Sequence, residues 1–265
     1  MPESLQAFRV EAKSAEVVCE GTLEPLALAE RKLLFDSGGV WRVDAGIDRG
    51  LRLVLRAGPH PGRPYHAVEL NEHLTHGRVT LDPTPLEDES EPFLLRAPLH
   101  ELWTSFLLLR GRGALVHACG LLTHQHVHLF VGESGVGKST LAGILESRFG
   151  LVLSDDRIVL RPDGEGFRAY GTPWHGEARF ASPKCGKLCS ISFLSQSAES
   201  QRIRLDPEEA AARLAACSFM AGWPLHGIKD LLATCVVICE RTPCYRLDFT
   251  PDDSAPAAAG LRPVP

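Results

Sequence analysis

The sequence lacks three features that define common classes of protein. It has no apolar run of about 18 residues, so it contains no candidate for a helical membrane span. It has no basic run, and a formal net charge of −5 is not that of a nucleic-acid-binding protein. Residues 1–7 contain neither the basic nor the apolar segment of a secretory signal, so we expect a cytoplasmic protein.

Zinc-binding cysteine knuckles are also lacking. The chain has eight cysteines, and the pairs Cys185/Cys189 and Cys235/Cys239 have the spacing Cys-x₃-Cys. Zinc sites usually use the tighter Cys-x₂-Cys spacing with matching partners. Several of the cysteines lie in apolar stretches, where a thiol behaves as a small hydrophobe. We therefore expect buried free thiols, and no disulfides in a reducing compartment.

The most informative segment present runs from Gly132 to Thr140 and fits the pattern G-x-x-x-x-G-K-[ST] of a phosphate-binding loop. Its glycines let backbone N–H groups face phosphate oxygens, where a side chain would collide. Lys138 is predicted to reach the β- and γ-phosphates, and Ser139 is predicted to ligate Mg²⁺. The predicted nucleotide-binding residues are Gly132, Glu133, Ser134, Gly135, Val136, Gly137, Lys138, Ser139 and Thr140.

The surroundings of this loop support the match. Residues 127–131 are apolar and β-prone, which predicts a strand before the loop. After the loop, apolar residues recur at positions 141, 144, 145 and 149, which predicts one face of a helix closed by Gly150. Strand, loop and helix in this order are the expected context of a phosphate-binding loop. The pattern predicts a nucleotide and leaves the reaction open.

The whole chain is predicted to be an α/β protein with a mixed sheet and a small β-rich N-terminal region. Residues 1–95 contain short alternating stretches typical of antiparallel strands, and the acidic, proline-rich stretch 82–92 is a candidate linker. Residues 96–250 contain the loop and are predicted to form the core. The Pro/Ala-rich segment 251–265 is predicted to be disordered.

Several elements of the core can be predicted individually. Residues 114–122 and 127–131 are expected to form a hairpin with Gln125 near its turn, and residues 151–160 are expected to form one strand interrupted by two carboxylates. Asp206-Pro207 is a strong helix start, since aspartate suits the N-cap and proline the first position. A second helix is expected over 225–239 and a last strand over 244–249.

Three histidines follow one another at alternate positions, His124, His126 and His128. They could hold a metal, because alternate residues of an extended segment point to one side. The other interpretation is the polar tip of the hairpin, which we favour because metal sites need further ligands.

Two adjacent carboxylates, Asp155 and Asp156, follow an apolar strand. A phosphate-binding loop that uses Mg²⁺ needs a carboxylate to hold the ion, and a second one can accept the proton of an attacking hydroxyl. The alternative is a polar turn that closes the strand. His117 lies on the strand that precedes the loop's own strand, and the pattern alone leaves its role open between structure and chemistry.

Together these residues resemble the catalytic core of HPr kinase/phosphorylase. His117 stands fifteen residues before Gly132, and Asp155 stands sixteen residues after Ser139, which are the spacings of that family. The resemblance implies a fold akin to phosphoenolpyruvate carboxykinase and ATP-dependent phosphorylation of a serine on a small protein. It covers about residues 98–180 in detail.

The resemblance also implies a role for each residue. Asp155 would be the base on the acceptor serine, and Asp156 and His117 would orient the site and assist with the metal. Glu177 would supply the second metal carboxylate, so the expected metal ligands are Ser139, Asp156 and Glu177. Lys138 would act in catalysis as well as in binding.

The chain departs from the family in three places. The signature Glu-x-Arg-Gly-x-Gly is missing around 175–180, and the C-terminal third and the N-terminal region also differ. The chain is more similar to stand-alone HPr kinase-related proteins of peptide-modification clusters, such as lasso-peptide clusters, where a precursor peptide is the acceptor.

The expected function is an ATP- and Mg²⁺-dependent serine kinase whose partner is a protein or peptide, with a homo-oligomer left open. One alternative is a small-molecule kinase, whose lid could use Arg202, Arg204 or Arg213. Another is a nucleotide-gated protein that binds a peptide without phosphoryl transfer. A transporter ATPase is disfavoured because no Leu-Ser-Gly-Gly-Gln-type signature is present.

Overall fold

The structure is a computed structural model that describes residues 3–9, 11, 15–56, 64–84, 94–95, 97–219 and 225–263. It shows a mixed α/β protein, mostly strands, with two mixed sheets. The chain divides into two compact units, the first formed mainly by residues 10–107 and the second mainly by residues 108–220 and 224–265. Within the described ranges, no helix combines the length and the apolar character that a membrane crossing requires. Residues 85–92 of the predicted linker lie outside the described residues.

The first unit is built on a six-stranded sheet in the order β1-β6-β5-β4-β3-β2. Its strands are β1 Val18–Leu23, β2 Leu33–Asp36, β3 Trp41–Ala45, β4 Leu51–Leu55, β5 His66–Leu70 and β6 His76–Leu81. The short helix α1, Glu3–Gln6, precedes them in the chain and belongs to the second unit. The strands β2 to β6 pair antiparallel as predicted, but β1 pairs parallel to β6. Alternation of apolar residues gives the face of a strand and not its direction, which is why this pairing escaped prediction.

The core of the first unit combines apolar packing with one sealed ion pair. The helix α2, Leu99–Leu108, buries Trp103, whose Nε1 donates to the carbonyl of Leu74 at 2.7 Å. Between β3 and β4, Arg52 donates from Nη2 and Nε to one carboxylate oxygen of Asp44, at 2.7 and 3.0 Å. Both side chains of this pair are 2% exposed.

The second unit is built on an eight-stranded sheet in the order β11-β10-β7-β8-β12-β14-β13, with β9 paired to β7. Its elements are β7 Ala114–Thr123, β8 His126–Val131, α3 Lys138–Leu145, β9 Leu151–Ser154, β10 Arg157–Asp163, β11 Gly166–Gly171, β12 Cys185–Gln196, β13 Gln201–Arg204, α4 Pro207–Ala216, α5 Leu225–Arg241, β14 Cys244–Phe249 and α6 Ser254–Ala258. β12 runs parallel to both β8 and β14, so the carboxyl ends of these three strands share one edge of the sheet.

Several predicted elements of the second unit are confirmed. β7 and β8 form the predicted hairpin, and β14 has the predicted bounds. Asp206 caps α4 by accepting from the amides of Glu208 and Glu209, both at 3.0 Å. The prediction that Gly150 ends the helix after the loop is wrong, since α3 ends at Leu145. The chain instead turns before β9.

The predicted disorder after residue 250 is wrong. Residues 254–258 form α6, and Ala255, Ala259 and Leu261 are buried in the same cluster as Leu141 of α3. Composition misled here because alanine and proline are common in disordered segments, yet small residues also pack closely against a helix. The end of the described chain therefore supports the helix that follows the glycine-rich loop.

Candidate functional site

The glycine-rich segment 132–137 forms a loop between the end of β8 and the start of α3. Gly135 and Gly137 have φ angles of 80° and 106°, in the left-handed region that favours glycine. A Cβ on Gly137 would lie 2.9 Å from the ring of Phe249. The backbone shape of the loop therefore depends on glycine at these positions.

Lys138 begins α3 and is buried, with 6% of its surface exposed. Its Nζ donates to the carbonyl oxygens of Gly132 at 3.0 Å and Glu133 at 2.8 Å. Burial lowers the pKa of Lys138, against the opposing effect of the nearby charge of Asp156. Because the two carbonyl partners carry no formal charge, the ammonium remains a positive charge directed at the loop.

The two aspartates lie at a break between two strands. Residues 151–160 were predicted to form one strand, but β9 ends at Ser154 and β10 starts at Arg157. Both strands pair antiparallel with β7, β9 through residues 120–122 and β10 through residues 114–117. The aspartates therefore lie beside β7, at the level of its residue His117. In the pairing of β7 with β10, His117 is opposite Arg157.

The carboxylate of Asp155 is buried and fully engaged. It is 1% exposed and accepts from the amides of Gly176 at 2.9 Å, Ala178 at 3.0 Å and Phe180 at 3.2 Å. A fourth donor is the hydroxyl of Ser139, at 3.0 Å. An ionised carboxylate offers about four lone-pair sites, so these donors fill its capacity. A Cβ on Gly176 would lie 2.8 Å from Asp155 Oδ2, so only glycine fits there.

The carboxylate of Asp156 is held from two sides and is partly exposed. His117 Nε2 lies 3.2 Å from Oδ1, and Arg157 Nε lies 3.0 Å from Oδ2. Burial alone would raise the pKa of Asp156, but the hydrogen bond from His117 and the charge of Arg157 outweigh it and hold the pKa below its usual range. Asp156 is therefore an anion with one cationic or hydrogen-bonding neighbour at each oxygen and room to accept further hydrogen bonds.

Two aromatic rings position the partners of Asp156. The Arg157 guanidinium lies 4.5 Å from the centre of the Phe219 ring and 5.9 Å from that of Trp174. The same Phe219 ring meets the imidazole of His117 edge-on, with ring centres 6.1 Å apart. Stacking of this kind fixes a planar guanidinium, which a lysine ammonium could not match.

These side chains open onto one cavity of about 290 Å³, here called the carboxylate cavity. It gathers residues from the strand β7, the glycine-rich loop, the β9–β10 junction and the segment after β11. The predicted site residues that line it are His117, Ser134, Gly135, Gly137, Lys138, Ser139, Thr140, Asp155, Asp156 and Glu177. Glu177 is exposed at its edge, and Gly176 also lines it.

The remaining predicted loop residues, Gly132, Glu133 and Val136, line a second cavity of about 480 Å³, here called the strand-end cavity. Ser134 and Gly135 line both cavities, so the two lie against one loop. The other walls of the strand-end cavity are the carboxyl end of β12 and the end of α4.

The histidine and cysteine metal sites considered from sequence find no support among the described residues, where no group of three or more histidine, cysteine, aspartate or glutamate residues could hold a metal ion. His124 lies in the turn of the β7–β8 hairpin, and the Nδ1 of His128 bonds the hydroxyl of Ser190 at 2.9 Å. The eight cysteines are free thiols, and Cys235 and Cys239 are buried as expected.

The arginines considered for a substrate lid have other partners. Arg202 and Arg204 lie over the ring of Tyr245, at 3.4 and 5.1 Å from its centre. Arg213 pairs with Glu209 at 2.7 Å on the exposed face of α4. Sequence reasoning instead missed Arg157, Trp174, Gly176 and Phe219. Arg157 could have been noticed because it directly follows the aspartate pair, whereas a distant aromatic such as Phe219 gives no signal of its own.

A cavity of about 380 Å³ in the first unit differs in character. Its polar side chains bond to neighbours: Glu69 pairs with Arg31 at 2.7 Å, and His76 Nδ1 lies 3.1 Å from the hydroxyl of Thr75. It contains neither a glycine-rich loop nor a lysine among its lining residues. The carboxylate cavity is therefore the stronger candidate for chemistry.

No protein-family model matches the chain, and no curated protein matches it. The likeness to HPr kinase thus remains a likeness of motifs and spacings, and function is inferred from the residues of the site.

Proposed function

We propose that this protein is an ATP- and Mg²⁺-dependent kinase that phosphorylates a serine of a protein or peptide, with a core of the HPr kinase type. One observation carries the proposal: the carboxylate cavity gathers Lys138, Ser139, both aspartates and His117 from separate segments of the chain. A protein that only binds a nucleotide has no need of a carboxylate–histidine pair beside the phosphate loop.

The loop and its lysine fit a polyphosphate. Gly135 and Gly137 allow backbone amides to turn inward, and the start of α3 adds its partial positive charge. Burial destabilises the charged form of Lys138, so an anion in the loop would restore a favourable environment for the ammonium. A polyphosphate at this loop would therefore meet both a positive charge and hydrogen-bond donors.

The oxygen donors beside the loop fit Mg²⁺. The Ser139 hydroxyl lies 3.0 Å from Asp155, and Glu177 lines the same cavity. Hydroxyl and carboxylate oxygens suit this hard cation, which usually binds one or two carboxylates together with substrate phosphates rather than a cage made wholly of protein. When bound, Mg²⁺ would neutralise charge that develops on the transferred phosphoryl group.

The hydrogen bonds support an exchange of the two aspartates' expected roles. Asp155 has no lone pair left for an acceptor hydroxyl, so it is better suited to orient Ser139 beside the metal. Asp156 retains acceptor capacity on both oxygens and faces the carboxylate cavity. We assign Asp156 to the acceptor hydroxyl, whose proton it would accept, and His117 and Arg157 to holding that carboxylate in place.

Incubation with γ-labelled ATP, Mg²⁺ and candidate precursor peptides tests the proposal. Label on a peptide serine is expected with the wild-type protein, and none with Lys138→Ala. Label on a metabolite alone would contradict the protein or peptide acceptor, and no transfer to any acceptor by a protein that binds ATP would contradict the kinase assignment. Phosphopeptide mapping by mass spectrometry identifies the labelled residue.

The two aspartates can be separated by their asparagine variants. Asp156→Asn is expected to abolish transfer with Mg²⁺-ATP affinity nearly unchanged. Asp155→Asn is expected to weaken Mg²⁺-dependent nucleotide binding, because it removes the charge beside Ser139. Calorimetric titration with and without Mg²⁺ measures the nucleotide affinity of each variant. The opposite pattern would assign the role of general base to Asp155.

A further inference from the structure

The strand-end cavity adjoins the carboxylate cavity on the same loop and has a different chemistry. Its floor is apolar, with Phe193 and Leu194 only 3% and 8% exposed. Its polar lining includes the hydroxyls of Ser134 and Ser195, and its charged groups are one carboxylate, Glu133, and one guanidinium, Arg213. Because that guanidinium already pairs with Glu209, the cavity has no surplus positive charge to attract a phosphate.

We propose that the strand-end cavity binds the nucleoside of the nucleotide whose phosphates lie in the carboxylate cavity. The inference rests on the proposed function and adds the part of the ligand that the phosphate loop does not address. Small-molecule sites combine apolar surface with placed polar groups, and this cavity offers both kinds of surface in about equal share. In α/β sheets such sites lie outside the carboxyl ends of strands, and the end of β12 forms one wall.

The two cavities share a wall. Ser134 and Gly135 line both, so a ligand that reaches across this segment stays in contact with the loop throughout. Gln196, at the end of β12, directs its amide towards the carbonyls of Gly135 and Val136, at 3.4 and 3.5 Å. Its side chain therefore lies where the two compartments meet and can contact a ribose or a base edge.

A matched pair of tryptophan substitutions tests the assignment without requiring activity. Ala216 is exposed and lines the strand-end cavity, whereas Ala212 is exposed one turn earlier on α4 and does not line it. Ala216→Trp is expected to weaken ATP binding at least about tenfold and to leave binding of inorganic tripolyphosphate within about twofold, since only ATP carries a nucleoside. Ala212→Trp is expected to change neither affinity. Titration calorimetry with Mg²⁺ present measures both ligands.

Each other outcome has a distinct meaning. Equal weakening of both ligands by Ala216→Trp, or no weakening of either, would overturn the nucleoside assignment while the phosphate site stood. Unchanged ATP affinity with a raised KM for the peptide would assign the cavity to the acceptor and also overturn it. Binding of neither ligand by the wild-type protein would overturn the proposed function itself, and the inference with it.

Cysteine alkylation provides an independent readout. Cys217 is half-buried and lines the strand-end cavity, whereas Cys189 is exposed on β12 and does not line it. Because burial raises the pKa of Cys217, N-ethylmaleimide at mildly alkaline pH is the suitable probe. ATP is expected to slow alkylation of Cys217 more than tripolyphosphate does and to leave Cys189 unaffected. An unchanged rate at Cys217 with saturating ATP would contradict the assignment.

Discussion

Each unit of this protein contains an aspartate–arginine ion pair, and the two pairs differ in how far they are exposed. In the first unit, Asp44 and Arg52 are both 2% exposed and bond mainly to each other. In the second unit, Asp156 and Arg157 are 21% and 19% exposed, and Asp156 faces a cavity. A sealed pair acts on the fold alone, whereas a partly open pair keeps a fixed charge available to a ligand.

The largest expected effect follows from the open pair. Under the proposed function, Asp156→Asn removes the charge that would accept the serine proton, so the transfer rate should fall about 10²- to 10⁴-fold. Stability should change little, because asparagine keeps the shape of the side chain. Initial rates with γ-labelled ATP measure the loss, and Asp163→Asn, which breaks an exposed pair with Arg168, is the control. A wild-type transfer rate in Asp156→Asn would show that Asp156 does not accept the serine proton.

The sealed pair should show the opposite behaviour. Asp44→Ala leaves the Arg52 charge buried without its main partner, which typically costs about 3–5 kcal/mol of folding free energy. Hydrogen exchange of β3 to β5 should accelerate accordingly, while transfer by the folded protein stays normal. The control is Glu69→Gln, whose partly exposed pair with Arg31 should be worth less than about 1 kcal/mol. Equal losses of folding free energy in the two variants would show that burial of the Asp44–Arg52 pair does not increase its contribution to stability.

A smaller effect is expected from the aromatic support of the open pair. Arg157→Lys keeps the charge next to Asp156 but loses the planar contact with Phe219 and Trp174, worth about 1 kcal/mol. Transfer should fall about three- to tenfold through kcat, with KM for ATP unchanged. Arg168→Lys on β11 serves as the control. A change confined to KM would place Arg157 in binding instead.

The smallest expected effect concerns pH. Burial lowers the pKa of His128, and the neighbouring side chains of Arg202 and His126 act in the same direction. The unfolded chain then binds more protons than the folded one below pH about 6.5, so stability should be complete above that pH and decrease as the pH falls through it. Urea unfolding at pH 5.5 and 8 measures the difference. His128→Gln should reduce it and His124→Asn should not, whereas an equal decrease in all three proteins would remove His128 as its source.

Local chemistry in the sequence was a good guide where neighbours along the chain decide the structure. The N-cap at Asp206, the hairpin around Gln125 and the glycine-rich loop depend on residues close together, and all three could be located. The parallel pairing of β1 and the packing of α6 depend on distant partners, which composition does not reveal. The site behaved in the same way. Its motif residues could be identified from spacing, but not the amides around Asp155 or the rings around Arg157.

The ties on Asp155 restrict how the protein can move around a ligand. Three amides of residues 176–180 and the Ser139 hydroxyl converge on one buried charge, so this segment cannot swing outward as a flap without stripping all four hydrogen bonds at once. Under the proposed function, a nucleotide would enter and leave through movement of the glycine-rich loop and of the Lys138 side chain, whose two partners are uncharged carbonyl groups. Under this proposal, segment 176–180 is the fixed wall of the carboxylate cavity, and the glycine-rich loop is the wall that moves.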